Sequence, residues 1–342
     1  MADTCTMNPL FALFFSLSSA AGGAYLGESI ALAVAVSWTV CALLSETVSR
    51  RLGAHVVNVL RMVLSLLFIG ALLWVCTGSP LPPRADATTW GWLLASGLVG
   101  YVFGDYCLFN AYLLIGSRFG QLFMTIAPAV SAVAGWLLLG ERLSAQALAG
   151  MAVTMTGIAV SILGRGAPDE EGEGRRRRKV RLNLPTRGVL LGIGAGVGQG
   201  LGLTLSAVGL KHYAAVWTVA KVGASMAFLL PFAATQMRAV TGLPGFLLIL
   251  FLAGKGGALR RACTDGRGWL LMAATVVFGP FVGVSLSLMA TQYTSTGVAM
   301  TIMSLSPVLI LWPAHVLFGQ RVTRREVVGA LISVAGVALF FV

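Results

Sequence analysis

Three charged side chains lie inside otherwise apolar stretches of the sequence: Arg61, Asp105 and Arg238. Charges within a membrane are costly, and by default they mark a substrate site or a proton path. On this interpretation Arg61 binds an anionic group of a solute, and Asp105 binds a cation or a proton. The alternative is a mutual ion pair of Arg61 and Asp105 that only fixes helix packing. The residues alone leave both interpretations open.

Further polar and aromatic side chains accompany these charges. Asn58 stands three residues before Arg61, and Thr235 three before Arg238, so each pair shares one helix face. Amides in helix bundles more often join helices than bind ligands, and most aromatic rings are core or interface anchors. The candidate substrate-binding residues are Trp38, Asn58, Arg61, Tyr101, Asp105, Asn110, Gln199, Thr235 and Arg238, and Asp105 is also the candidate for proton coupling.

Two prolines, Pro128 and Pro307, occupy the middle of apolar stretches. A proline removes a backbone hydrogen bond and frees a carbonyl group. In transporters such breaks form binding sites or hinges, and the plain alternative is a packing kink. We predict a hinge at each proline.

The sequence offers no residue set typical of catalysis or metal binding. Its five cysteines lack zinc spacing, its three histidines are scattered, and it has no phosphate-binding loop motif. No nucleophile is clustered with a base. We therefore predict no enzyme activity, no metal and no cofactor.

The elements that must position these residues are apolar helices. Of the 342 residues 57% are hydrophobic and 11% are charged, far below the quarter or so typical of soluble domains. A bilayer needs about 20 apolar residues per helix, and backbone groups in lipid must pair internally. The predicted fold is an all-α integral membrane protein of ten transmembrane helices, at 29–47, 56–77, 91–114, 119–140, 143–163, 188–210, 231–253, two within 268–320, and 324–342.

The two halves of the sequence repeat each other. The pairs that lie 179 residues apart include Trp90 and Trp269, Gly104 and Gly283, Pro128 and Pro307, and Gly157 and Gly336. Five helices per half is an odd number, so the second copy enters the membrane inverted. Inverted repeats are typical of secondary transporters, with the site near the midplane and one half rocking against the other.

A change in the offset between the halves places an insertion between the sixth and seventh helices. Residues 213–230 are apolar but contain Lys221, and they are few for a crossing. We predict an interfacial helix or a folded-over loop there.

The chain divides into four segments: an apolar N-terminal extension at 1–28, a first repeat at 29–163, a charged linker at 164–187 and a second repeat at 188–342. The extension could be an extra helix, a poor signal sequence or an upstream addition to the reading frame, and these stay open. Lys and Arg are concentrated in one set of alternate loops, which predicts a cytoplasmic linker. The basic run 175–179 is either a solvated linker or a surface for anionic lipid.

The order of motifs resembles the EamA family of the drug/metabolite transporter superfamily. The first half carries 103–106 (Phe-Gly-Asp-Tyr), 109–111 (Phe-Asn-Ala), 127–128 (Ala-Pro) and 135–143 (Gly-Trp-Leu-Leu-Leu-Gly-Glu-Arg-Leu). The second half carries 231–238 (Pro-Phe-Ala-Ala-Thr-Gln-Met-Arg), 279–283 (Gly-Pro-Phe-Val-Gly) and 303–307 (Met-Ser-Leu-Ser-Pro). One departure is Gln320, which stands where the family has a glutamate. The resemblance implies ten helices and movement of small organic solutes.

The resulting prediction is a multi-pass secondary transporter of the inner, or plasma, membrane. It moves a metabolite, amino acid or drug by alternating access, with efflux as the expected direction and a proton or solute gradient as the energy source. The alternative is a flippase for a lipid or lipid-linked group on the same fold. The expected partners are a small-molecule substrate and membrane lipid, without nucleic acid, and a homodimer is left open.

Overall fold

The computed structural model describes residues 25–164, 185–219, 228–254, 256–262, 265–318 and 322–341. Most of the N-terminal extension and of the charged linker lies outside these ranges. Within them the α-helices are α1 (Leu26–Leu52), α2 (Ala54–Thr77), α3 (Ala87–Gly97), α4 (Tyr106–Met124), α5 (Ile126–Leu139), α6 (Ala145–Gly164), α7 (Thr186–Val219), α8 (Leu230–Leu252), α9 (Gly256–Ala262), α10 (Gly266–Val276), α11 (Ser285–Ala290), α12 (Thr296–Met303), α13 (Ser306–Leu309), α14 (Leu311–Phe318) and α15 (Arg324–Ala338).

Eight helical stretches within the described residues are long and apolar enough to cross a membrane. The predicted spans 91–114 and 324–342 are not among these eight. The second of them is represented by α15, which has only 15 residues. The chain is therefore an all-helical protein built for a bilayer, and the count of ten spans stays a prediction.

Among the described residues two π-helices interrupt the regular winding, and the sequence pattern did not predict them. Leu98–Asp105, here π1, joins α3 to α4, and Val277–Val284, here π2, joins α10 to α11. Each residue of π2 lies 179 positions after its counterpart in π1, so the duplication extends to this rare backbone form. π-helical turns are commonly found at functional sites because they displace side chains from the usual helical register.

Equivalent helices of the two repeats pack against each other in opposite directions. A Cβ atom on Gly150 of α6 would lie 3.0 Å from the carbonyl oxygen of Gly336, and one on Gly157 would lie 2.7 Å from that of Gly329. The residue numbers rise along α6 as they fall along α15, so the two helices are antiparallel. Small residues at such a contact let two backbones approach closely.

The contacts of α7 show where the chain of the first repeat turns back. Gly202, Gly198 and Gly188 of α7 lie beside Gly100, Gly104 and Ile115 in turn. Farther along the chain the order reverses, because Phe123 lies beside Gly192 and the Ala127 carbonyl beside Gly200. The chain therefore passes α7 twice, in opposite directions, with the reversal between residues 115 and 123.

The packing mixes the two repeats. Helix α1 of the first repeat packs mainly against α10, π2, α11 and α12 of the second, while α7 of the second packs against α3, π1, α4 and α5 of the first. We call these sets the α1 bundle and the α7 bundle. Helices α2 and α8 pack against each other between them. Each half supplies helices to both bundles, so the packing does not favour a rocking of one intact sequence half against the other, and the motion itself stays a prediction.

The insertion after the sixth span also differs from its prediction. Helix α7 runs for 34 residues to Val219, so residues 213–219 extend it as a regular helix. Its end is held by two hydrogen bonds to the carbonyl oxygen of Pro83, from Tyr213 Oη at 2.7 Å and from Trp217 Nε1 at 3.3 Å. An interfacial or folded-over segment is thus wrong for residues 213–219. Lys221 and the rest of 220–227 lie outside the described residues.

Both predicted proline breaks coincide with interruptions of helices. Pro128 lies in the first turn of α5, directly after the interruption at Thr125. Pro307 lies in α13, which is separated from α12 by Ser304 and Leu305. The hydroxyl of Ser306 donates to the Ala35 carbonyl of α1 at 3.0 Å, so this break contacts another helix. The hinge role stays a prediction.

Candidate functional site

An ion pair inside the helix assembly forms the centre of the candidate site. Arg61 Nη2 of α2 donates to Asp105 Oδ2, at the end of π1, over 2.7 Å. The side chains are 21% and 11% exposed, so the pair is largely buried. The ion pair weighed in the sequence analysis is thus present. It also connects the α7 bundle, to which Asp105 belongs, to α2, which lies between the two bundles.

Gln199 of α7 completes the surroundings of Asp105. Its Nε2 donates to Asp105 Oδ1 at 2.7 Å and to the Gly100 carbonyl oxygen at 3.2 Å. A Cβ atom on Gly104 would lie only 3.2 Å from this nitrogen, so a glycine there admits the amide. Both oxygens of the Asp105 carboxylate are therefore occupied by protein donors.

A second arginine lies nearby and forms no salt bridge among the described residues. The guanidinium carbon of Arg238, on α8, is 4.6 Å from the ring centroid of Tyr101 in π1. Arg238 is 5% exposed and Tyr101 is 7% exposed. A desolvated guanidinium over an aromatic face gains a cation–π attraction. The contact is electrostatic, and it leaves the N–H groups of the arginine available.

Several buried polar atoms around these residues lack a hydrogen-bond partner within the described part of the chain. Three belong to the charged and aromatic groups already named: Arg61 Nε, Arg238 Nε and Tyr101 Oη. Two more are the hydroxyls of Ser65, one turn after Arg61, and Thr241, one turn after Arg238. Buried groups of this kind are rare in folded proteins and call for an explanation.

The remaining predicted site residues lie outside this arrangement. Asn110 donates to the Tyr106 carbonyl of its own helix at 2.8 Å, and Thr235 accepts from Ser285 Oγ at 3.2 Å. Asn58 is buried one turn before Arg61 on the same helix. Neither Asn110 nor Thr235 contacts the ion pair.

Trp38 packs on π2 in the way that Gln199 packs on π1. A Cβ atom on Gly283 would lie 2.7 Å from the indole nitrogen of Trp38. Gly283 is the counterpart of Gly104, but Val284 stands where the first repeat has Asp105. The position in the second repeat that is equivalent to Asp105 therefore lacks an acid. Only the first repeat places a carboxylate at the end of its π-helix.

Polar contacts fasten one end of the assembly. Glu141, in the loop after α5, accepts from the backbone N–H of Thr296 at 3.0 Å and from its hydroxyl at 2.8 Å. Thr294 Oγ1 donates to Glu28 Oε1, at the start of α1, over 2.6 Å. A cavity of about 370 Å³ opens beside Glu141, with Lys211 and Gln292 among its lining residues. The ion pair of Arg61 does not line this cavity.

A salt bridge fastens the opposite end. Arg51, at the end of α1, binds Asp265, which also caps α10 by accepting from the Gly268 N–H at 3.1 Å. The Arg51 guanidinium holds the pKa of Asp265 below its usual value. The sequence analysis missed this bridge. The signal that could have predicted it is that Arg51 and Asp265 carry opposite charges in loops predicted to lie on the same face of the membrane.

Comparisons with known proteins agree with this architecture. The model of the EamA-like transporter family matches residues 25–163 and 186–342. A solved structure titled only "Crystal structure of protein" superimposes with a TM-score of 0.62, covering 92% of this chain and 96% of that chain at 17% identity. That identity establishes a shared fold alone. No curated protein matches the chain in sequence.

Proposed function

Because this chain belongs to the EamA-like transporter family, we propose that it is a secondary transporter that exports a small organic solute across the inner, or plasma, membrane. The family assignment makes it a multi-pass membrane transporter. The observation that carries the finer proposal is the Arg61–Asp105 pair, which connects the α7 bundle to α2 within the apolar assembly. An intramembrane ion pair at a moving interface is a natural place for substrate and proton to compete.

We propose ten spans in two inverted repeats. The eight long apolar helices supply most of them, the stretch through α3, π1 and α4 supplies a ninth, and α15 a tenth. Antiparallel packing of α6 on α15 supports the inversion. The excess of Lys and Arg in alternate loops favours a cytoplasmic linker 164–187, with the Arg51–Asp265 bridge on that side.

Alternating access would then move the α1 bundle against the α7 bundle. Glu141 and Thr296 connect α5 of one bundle to α12 of the other at the proposed outer end. Opening that end requires these hydrogen bonds to break, and the prolines at 128 and 307 lie in the helices that carry the change. The polar groups Arg238 and Tyr101 are enclosed by helices rather than open to lipid, which favours a water-soluble solute over the flippase alternative.

Asp105 is the proposed proton carrier. When its carboxylate is ionised, Arg61 and Gln199 hold it. When it is protonated, the ion pair is lost and the α7 bundle is held less tightly to α2. Such coupling predicts that Asp105→Asn retains substrate exchange but loses accumulation driven by a pH gradient.

Purified protein in liposomes tests this proposal. A metabolite panel screened by thermal shift identifies a ligand, and radiolabelled counterflow then measures saturable exchange. Asp86→Asn, at a loop position, serves as the matched control for Asp105→Asn. Failure of every stabilising solute to exchange would reject the transporter proposal. Unchanged gradient-driven uptake in Asp105→Asn would reject only the proton role.

A further inference from the structure

The buried site carries one more positive charge than negative among its described residues. Arg61 forms a salt bridge with Asp105, whereas Arg238 lies over the Tyr101 ring and forms no salt bridge among the described residues. Burying an uncompensated guanidinium in an apolar assembly is expensive. A ligand with a single negative charge would neutralise the site, whereas a dianion would exceed it.

The site also has hydrogen-bond donors to spare. Arg238 Nε, Arg61 Nε and Tyr101 Oη are buried without partners among the described residues. Both Asp105 oxygens, in contrast, already accept from Arg61 and Gln199. A ligand group that accepts several hydrogen bonds would therefore complement these donors.

The geometry of Arg238 suits one such group in particular. Its Nε lacks a partner, and the guanidinium is fixed in orientation by the Tyr101 ring. The Nε–Nη edge of a guanidinium binds a carboxylate through two parallel hydrogen bonds. The phenol of Tyr101 and the Thr241 hydroxyl, one turn along α8, are further donors beside it.

We infer that Arg238, not Arg61, is the principal anion-binding residue, and that the transported solute is an organic monocarboxylate without an ammonium group. A zwitterion is disfavoured because it carries no net charge and would leave the excess positive charge of Arg61, Arg238 and Asp105 uncompensated. This inference rests on the proposed transport function. It goes further by fixing the charge class of the solute and by giving Arg61 a different task, that of holding Asp105.

Binding measured apart from flux tests the inference. The detergent-solubilised full chain is titrated with benzoate, its neutral isostere benzamide, the zwitterion 4-(aminomethyl)benzoate and the dianion isophthalate, along with lactate and lactamide for a smaller site. We expect thermal stabilisation by a carboxylate of one size class and none by the matching amide, with at least tenfold weaker binding of the zwitterion and the dianion.

The variants separate binding from folding. Arg238→Gln should weaken carboxylate binding by about tenfold to a hundredfold, as expected for a lost charged hydrogen bond. Tyr101→Phe, which keeps the ring, should weaken it by a few-fold to tenfold and remains informative if Arg238→Gln does not fold. Arg325→Gln, on the exposed surface of α15, is the control and should bind like the native chain.

Each outcome has a defined meaning. Equal binding of carboxylates and amides, a preference for the zwitterion, absence of binding by every carboxylate in the panel, or native affinity in both Arg238→Gln and Tyr101→Phe would overturn the inference. Selective carboxylate binding without flux in liposomes would support the site and reject transport. Flux of a neutral or cationic solute by a protein that does not bind carboxylates would support transport and reject the carboxylate site.

Discussion

Thr154 of α6 and Ser333 of α15 occupy the same place in the two repeats, and each donates its hydroxyl to the backbone carbonyl of the other, at 3.4 Å in both directions. Equivalent residues can meet in this reciprocal way only at the axis that relates the repeats. The axis therefore passes between α6 and α15. Any motion that preserves the relation of the repeats leaves this contact least disturbed.

The α6–α15 contact should be sensitive to the smallest added side chain. Gly157→Ala places a methyl group 2.6 Å from the Ser333 hydroxyl oxygen, so the helices must separate. We expect a melting temperature several degrees lower, in line with an overpacking cost of about 1–3 kcal/mol. Gly91→Ala, where a Cβ meets no atom within 4 Å, is the matched control and should leave the melting temperature unchanged or slightly raised. Equal melting temperatures for the two variants would contradict the close contact.

Removing one member of the central ion pair should cost more than removing both. Asp105→Asn leaves the Arg61 guanidinium without its carboxylate, and breaking a buried pair in this way costs about 3–5 kcal/mol. The double variant Arg61→Gln/Asp105→Asn should recover much of that loss, because two neutral amides can pair. Chemical denaturation in mild detergent measures the cycle, and strictly additive effects would argue against the pair.

The N-cap of α3 should give the protein an acid-sensitive contact. Asp86 accepts from the Thr89 N–H at 3.0 Å, and hydrogen bonding by Thr89 lowers the pKa of Asp86 from 3.8 to about 2. A carboxyl whose pKa is lowered on folding stabilises the fold above its unfolded pKa, and the contribution is lost as pH falls towards the folded value. Asp86→Ala should therefore have a lower melting temperature than the native chain at pH 7, and the difference should shrink between about pH 4 and pH 2.

Asp86→Asn keeps a capping oxygen and provides the control for this pH series. It should lose less stability than Asp86→Ala at pH 7, because asparagine also caps helices well. If the difference in melting temperature between the native chain and Asp86→Ala stays constant down to pH 2, ionisation of Asp86 does not stabilise the fold.

The Glu141 contact should hold the proposed outer end closed. Glu141→Ala removes the acceptor for both the N–H and the hydroxyl of Thr296, and hydrogen bonds to a charged group contribute about 1.5–3 kcal/mol. We expect lower stability and faster labelling of a cysteine placed at Gln292, in a background without other reactive cysteines. Glu141→Gln keeps one acceptor oxygen, so its stability and its labelling rate should lie between those of the native chain and of Glu141→Ala. Unchanged labelling in Glu141→Ala would contradict the closing role.

The sequence indicated which charges would lie in the membrane, but not how they would pair. Arg61, Asp105 and Arg238 were recognisable because each interrupts an apolar run. The pairing of Gln199 with Asp105 depends on π1, whose wider turn has no clear sequence signal, and Tyr101 reaches Arg238 only because the helices cross at Gly97 and Gly100. These are tertiary effects, and local pattern cannot supply them.

Helix ends were predicted less well than helix interiors. Residues 213–219 have the composition of an interfacial segment, yet they continue α7 because Tyr213 and Trp217 find the Pro83 carbonyl in a distant loop. The Arg51–Asp265 bridge likewise joins residues 214 positions apart. Hydropathy indicates how apolar a segment is, but it does not indicate which distant residues form hydrogen bonds with the polar atoms of its side chains.

The mixed composition of the bundles has a consequence for how the protein is made. When only α1 and α2 have left the ribosome, the surfaces on which α1 packs have not yet been synthesised, since α10, α11 and α12 begin more than 200 residues after the end of α1. The first helices therefore remain in the bilayer without their packing partners, in contact with lipid or a chaperone, until nearly the whole chain has been translated. Two fragments severed at the linker would each be incomplete, and they would have to find one another in the membrane before either could reach its final shape.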